Sequence, residues 1–316
     1  MNHIFAGSAS AAPQADYRYA QSPGALFLPF VTTPQIVHMG LNRLSAREWI
    51  QPCPQLPNYQ HNKLCARRQL QERVFAFESR SLPAQSELAS MLLGHLLADH
   101  RAYFRTAERL SWRAGAEVLH WPLPAAAAEP LWNASLWVAD DICLLLPGPD
   151  GYELVAASLA APSYWKLEDK IGRPLNQIHG PIPGFREHLA VQMARFFDHL
   201  RPEYPVWRSN WSVVGSPELL QRGGAEPAGD RLYLRVERQS LRRLPESGAV
   251  AFTIRVSINP LSDLLAVDGA VAALQAGVAA MSPQESRYKS LAPLLPQLQH
   301  FFAEHLSATS AAQRPQ

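Results

Sequence analysis

Apolar residues recur at helical spacing in three early stretches of the chain, around 41–50, 61–74 and 85–98. In AQSELASMLLGHLLADH, Leu88, Met91, Leu92 and Leu96 share one face, and Ser86 stands where a cap would open the helix. From 136 the period shortens to two. LWVADDICLLL and YELVAASLA are strand-like, and the PGPDG between them is a hairpin signal. Pro162 and Ser163 then introduce a short helix, SYWKLEDKIG, and FREHLAVQMARFFDHL (185–200) reads as an amphipathic helix burying Leu189, Met193, Phe196 and Leu200. Three further strands are predicted at 207–214, 231–239 and 249–258. In the last two, Leu232/Leu234/Val236 and Phe252/Ile254/Val256 alternate with polar or small neighbours, as in half-buried antiparallel strands. The chain returns to helix in DLLAVDGAVAALQAGVAAM and SLAPLLPQLQHFFAEHL.

The order is two strands, a helical excursion of about fifty residues, and three more strands. Sequential strands pair readily, so the economical fold is α+β: one five-stranded antiparallel sheet with helices on one face. That order resembles a PAS domain, elaborated here by N- and C-terminal helices. The expected divisions are disordered ends at 1–22 and 307–316, a helical region at 23–130, a PAS-like core at 131–262 and closing helices at 263–306. LPAAAAEP (123–130) is the proline-bounded joint before the core.

Composition narrows the function. The chain has 316 residues, 47% of them hydrophobic and 18% charged, as in a folded globular protein. A net charge of +2 argues against a nucleic-acid or polybasic membrane binder. No run reaches the ~18 apolar residues of a membrane span, and no basic and apolar leader opens the chain, so a cytoplasmic protein is expected. Cys53, Cys65 and Cys143 form no CxxC pair, which argues against a disulfide scaffold, a structural zinc site and a cluster ligated wholly by this chain. A GxSxG elbow and HExxH are both missing, and His95 and His100, five apart, are expected off one helical face.

One corner stands out. KIGRPLNQIHGPIPGF (170–185) sets His179 between Gly172 and Pro174 on one side and Gly180, Pro181, Pro183 and Gly184 on the other. Proline fixes φ and glycine opens unusual conformations, so the imidazole is rigidly framed, as a metal ligand requires. A structural turn histidine is the plainer alternative. Arginines cluster in the following strands at Arg208, Arg235, Arg238, Arg242 and Arg243, and forked guanidinium groups are natural partners for carboxylates. A solvated strand face is the bland explanation, preferred for Arg242 and Arg243. In RVERQ, Arg235, Glu237 and Gln239 share one strand face, opposite to Val236 and Arg238, either as an ion-pair ladder or as the lining of a pocket.

KIGRPLNQIHGPIPGF, LVAASLAAPSYW, WRSNW and RVERQSLRRLPESGAVAFTIR together resemble the haem-dependent oxidative N-demethylase alpha-subunit family. The likeness runs from about 136 to 260, with weaker echoes in MGLNRL (39–44) and SRYKSL (286–291). It implies a PAS-like domain holding haem b, with His179 as axial iron ligand within the His-Gly-Pro-Ile-Pro run 179–183. It also implies O2-dependent demethylation of a small secondary amine such as dimethylamine, giving the demethylated amine and formaldehyde. NADPH electrons would arrive through partner subunits carrying flavin and an iron–sulfur cluster. Arg208, Asn210 and Trp211 match the family's Arg-x-Asn-Trp, and Arg235, Glu237 and Arg238 its Arg-x-Glu-Arg. With Lys170 and Arg173, these are the candidate cofactor-binding residues, and Glu237 is the candidate for substrate. A PAS-type haem or ligand sensor without turnover is the alternative.

Overall fold

In the computed structural model, residues 18–20, 26–32, 40–123, 128–180, 190–223 and 231–312 are described. The first part supplies α1 (Pro29–Thr32), β1 (Asn42–Arg43), α2 (Leu56–Leu70), β2 (Phe75–Phe77) and α3 (Leu82–Asp99). Three strands follow, β3 (Tyr103–Thr106), β4 (Arg109–Ala114) and β5 (Glu117–Pro122). After α4 (Pro130–Ser135) come β6 (Asp141–Gly148), β7 (Gly151–Ser158), the single turn α5 (Leu175–Ile178) and α6 (Ala190–His199). β8 (Val206–Val214), β9 (Tyr233–Arg243) and β10 (Val250–Pro260) lead to α7 (Ala270–Ala279), α8 (Pro283–Tyr288) and α9 (Leu295–Ala312).

The molecule is α+β, and its main sheet has seven strands rather than the expected five. The order is β1-β8-β9-β10-β6-β7-β2, antiparallel at every pairing. The five expected strands lie together in the middle, with α5 and α6 between β7 and β8 in the chain. β1 and β2 close the two edges. Each is only two or three residues long, too short for a period of two to register in the sequence. A separate sheet, β3-β4-β5, stands in the region expected to be helical.

Several local expectations are revised. The stretch around 41–50 holds β1 and a 3₁₀ turn at Ala46–Glu48 rather than a helix. α2 begins at Leu56 and α3 at Leu82, each with a proline in its first turn, where the missing N–H costs nothing. Ser86 therefore lies inside α3 and is not its cap. SYWKLEDKIG forms only a 3₁₀ turn at Leu167–Asp169. Residues 185–189 of the amphipathic helix and 124–127 of the joint lie outside the described residues, as do 1–17 and 313–316 at the expected disordered ends.

Strand alternation sorts the side chains. On one face Cys143, Leu145 and Ala157 pack with Leu167, Leu175, Ile178 and Phe197 of the excursion. On the other, Trp211, Val213 and Leu234 pack with Leu274, Leu294 and Leu298 of the C-terminal helices. The N-terminal segment meets that second face through Arg238, which donates to the carbonyls of Glu48 (2.7 Å) and Trp49 (3.0 Å).

Buried charges hold the layers in register. Lys63 of α2 is 1% exposed, and its ammonium donates to the carbonyls of Ser135, Val138 and Asp140 at 2.7, 3.1 and 2.6 Å. The Asp141 carboxylate accepts from the amides of Ala160 and Ala161 just after β7. His95 and His100 meet although they are five residues apart, because His100 lies past the helix end and folds back. Their Nε2 atoms are 3.1 Å apart. His95 Nδ1 sits 3.0 Å from Asp99, and its Nε2 accepts from the Ile50 amide at 3.3 Å.

Lys63→Ala is expected to cost about 3 kcal/mol or more, because buried carbonyls lose their donor and Asp141 a counter-charge. Urea unfolding measures this, and a loss under about 1 kcal/mol would contradict the assignment. Burial, reinforced by His100, pushes His95 down to about 4, against ~6.5 when unfolded. Between those values the unfolded chain binds a proton that the native one lacks. Stability therefore falls as pH drops through that window, by up to about 1.4 kcal/mol per pH unit for this residue. His95→Gln should flatten the dependence in urea unfolding across the same window, and an unchanged slope would sink the reading.

Candidate functional site

The corner that frames His179 is tied to the sheet edge beyond the end of β2. Gly172 donates to the carbonyl of Leu154 at 2.7 Å, and Leu154 donates back to Arg173 at 3.1 Å. Gly172 holds φ +75°, and a Cβ there would meet a Glu78 carboxylate oxygen at 2.9 Å, so the turn needs glycine. Pro174 then sits at the N-cap of α5 in extended conformation, and His179 closes that helix. Pro181, Ile182, Pro183 and Gly184 lie outside the described residues.

The His179 ring is oriented by its own helix. Its Nδ1 lies 2.9 Å from the Leu175 carbonyl, so Nδ1 carries the proton and Nε2 the lone pair. Burial, with the cations Arg208 and Lys170 nearby, holds the imidazole below the usual histidine range. It is thus neutral at physiological pH, with the nitrogen that ligates metals in the right protonation state.

The sheet face under the excursion has a mixed character. Register pairs Arg208 with Gln239, Asn210 with Glu237 and Ser212 with Arg235, so these six side chains share the face. Leu241, Phe252 and Ile254 continue it across β9 and β10. Apart from Arg235, these positions are half-buried, whereas Val236, Arg238, Ser240, Ala251, Thr253 and Arg255 between them are buried. Leu241, Phe252 and Ile254 pack at the margin of the cluster that contains Ile178. An apolar, partly uncovered surface therefore lies beside the residue preceding His179.

The polar residues there are strongly coupled. Arg235 is 0% exposed and donates to the carbonyls of Leu219 and Ala161, with its Nε 3.3 Å from Glu237 Oε1. Gln239 donates to the other Glu237 oxygen at 3.1 Å, so the carboxylate is clamped from both sides. Burial holds Arg208 below its ordinary value, Glu237 and Tyr288 oppose that shift, and Arg208 Nε is buried without a hydrogen-bond partner among the described residues. Lys289 donates to Asn210 Oδ1 at 2.7 Å and to the Trp211 carbonyl at 2.5 Å. Burial lowers it to about 8, against the attraction of Glu237.

The structure thus brings His179, Lys170, Arg208, Asn210, Arg235 and Glu237 toward one face. Lys170 Nζ lies 3.5 Å from the Ile178 carbonyl. Trp211 and Arg238 point to the opposite face, because strand period places odd and even residues apart. There Trp211 rests on Phe30 with ring centroids 5.2 Å apart, and Arg238 anchors the N-terminal segment. Arg173 is exposed, and its carbonyl rather than its side chain serves the corner. Arg243 is not a solvated face residue: it donates to the carbonyls of Phe197 and Leu200 and caps the end of α6. Sequence reasoning passed over Tyr288 and Lys289 as site residues. The signal for them was SRYKSL, which stands far from the strands in the chain.

No helix among the described residues is long and apolar enough to cross a membrane. The family model described as haem-dependent oxidative N-demethylase, alpha subunit-like, matches residues 40–298.

With only Lys63, Lys166, Lys170 and Lys289 in the chain, each side chain can be followed by NMR at its Cε and Nζ signals in protein made with isotopically labelled lysine. Lys289 is expected to titrate near pH 8, and Glu237→Gln should lower it further by removing the attraction that opposes burial. A Lys289 titration at the free-lysine position would refute the site geometry.

Proposed function

The chain belongs to the haem-dependent oxidative N-demethylase alpha-subunit-like family, and on that premise we propose that it is the haem-carrying subunit of a monooxygenase. Its substrate would be a small secondary amine of the dimethylamine type, giving the demethylated amine and formaldehyde. The segment 131–262 serves as a PAS-like haem-binding core. Support for that fold reading comes from the five contiguous strands with the excursion between the second and third.

The observation that carries the proposal is the His179 imidazole, fixed through Nδ1 on the Leu175 carbonyl beside a half-buried apolar sheet face. A haem suits these residues. Leu241, Phe252 and Ile254 would offer it an apolar surface, and His179 Nε2 would offer its iron a nitrogen ligand. Arg208, buried at Nε without a partner among the described residues, and Lys170 offer cations to the propionate carboxylates. When bound, haem supplies the oxygen chemistry, so no side-chain nucleophile is required.

The chain's own residues then bind and orient. Glu237, clamped by Arg235 and Gln239, presents a fixed negative charge suited to an alkylammonium group. Lys289 ties β8 to the C-terminal helices, with Glu237 attracting its ammonium. The electrons come from NADPH through separate subunits carrying flavin and an iron–sulfur cluster.

Protein produced with haem supply is expected to show a Soret band that His179→Ala abolishes or shifts. Arg208→Ala should weaken haem retention about tenfold or more, the worth of a charge-assisted hydrogen bond. Absorption spectra of oxidised and dithionite-reduced protein, with and without carbon monoxide, measure this. No Soret band, or a spectrum indifferent to His179→Ala, would end the proposal. With a surrogate reductase, dimethylamine should yield formaldehyde. A haem protein that releases none from any amine tried is a binding or sensing module instead.

A further inference from the structure

Behind the sheet, on the face opposite His179, a second polar cluster lies wholly inside the protein and independent of the first. Asp140, just before β6, is 0% exposed; its own amide faces the carboxylate, and among the described residues no other residue donates a hydrogen bond to either oxygen. Arg255 of β10 is 8% exposed. It stacks 4.0 Å from the centre of the Tyr59 ring and donates through Nη2 to Cys53 Sγ at 2.9 Å. Its Nη1 is buried without a partner. Arg255 is the cation that acts most strongly on Asp140, yet no hydrogen bond joins them.

The neighbouring groups are already committed. Lys63 spends its donors on three backbone carbonyls, one of them that of Asp140 itself. Arg238 is held by Glu48 and Trp49, and the Tyr103 hydroxyl donates to the Trp137 carbonyl at 2.6 Å. Trp137 Nε1 and Trp49 Nε1 are also buried without partners among the described residues. Acceptors therefore stand at Asp140 and donors at Arg255 and the indoles. Leaving such groups bare in a low-dielectric interior is costly.

The chemistry of an occupant follows. A further full charge would find no uncommitted counter-charge in a low-dielectric interior. An apolar molecule would satisfy none of these atoms. We infer that Asp140 and Arg255 are the two ends of an internal site for a small neutral molecule that both donates and accepts hydrogen bonds. Water has that character, and so does a primary amide, whose N–H groups match the carboxylate while its carbonyl matches the guanidinium.

Crystals of the full chain, grown without additive and then soaked in formamide, distinguish the two. Density bridging Asp140 and Arg255 without additive assigns water, and planar density that replaces it on soaking extends the site to amides. An Asp140 carboxylate turned directly onto Arg255 Nη1, with nothing between them, overturns the inference. In solution, water magnetic relaxation dispersion should detect long-lived internal water that Asp140→Leu loses and Asp140→Asn retains. If Asp140→Leu does not fold, Arg255→Met serves. An internal-water signal identical in the native chain and the folded variant also overturns it.

Discussion

β9 is paired along its whole length with β10 and from Tyr233 to Leu241 with β8, and this backbone ladder is the constraint on which both polar regions depend. With register set, side chains alternate strictly between two faces. Arg235, Glu237 and Gln239 turn toward the excursion and Arg238 turns away, although the four are nearly adjacent in sequence. A slip of one residue would exchange the two sets. It would bury Glu237 against the N-terminal segment and leave the Glu48 and Trp49 carbonyls without Arg238.

The same ladder explains why so many charges are tolerated inside. Arg235, Lys63 and Asp141 each spend their hydrogen-bonding capacity on backbone groups at the ends of strands and turns. Backbone partners are fixed by the fold, so these charges act as pins that hold loops to the sheet. Such pins cost desolvation, and their return is geometric: a carboxylate such as Glu237 stays where Arg235 and Gln239 clamp it. The chain thus combines an apolar, half-covered sheet face with charges that are rigid rather than mobile.

Much of this was legible before folding was considered. The five long strands carry the period of two, and the glycines and prolines around His179 announce a rigid corner. Arg235, Glu237 and Gln239 could be assigned to one face from spacing alone once their strand was named, whereas the register of β8 on β9 is what adds Arg208 and Asn210 to it. Strand alternation already set Arg238 on the opposite face, and it was grouped with the others only through a motif; Trp211 was grouped in the same way, and the alternation of β8 sends it to that opposite side too. The edge strands β1 and β2 escaped because pairing, and not pattern, makes them strands. The β3-β4-β5 sheet was read as part of a helical region, because its outward positions are charged and its strands short.

What the sequence by itself determined is the set of long-range-periodic elements, the rigid frame of His179 and the family to which the chain belongs. Those are local properties: propensity, period and backbone restriction act within a few residues. Only the tertiary structure decided that Lys289 bonds Asn210 across 79 positions, that His100 folds back onto His95, and that Asp140 and Arg255 share one interior. Such encounters depend on how whole layers pack, and no residue along the chain carries a record of the partner that packing brings to it.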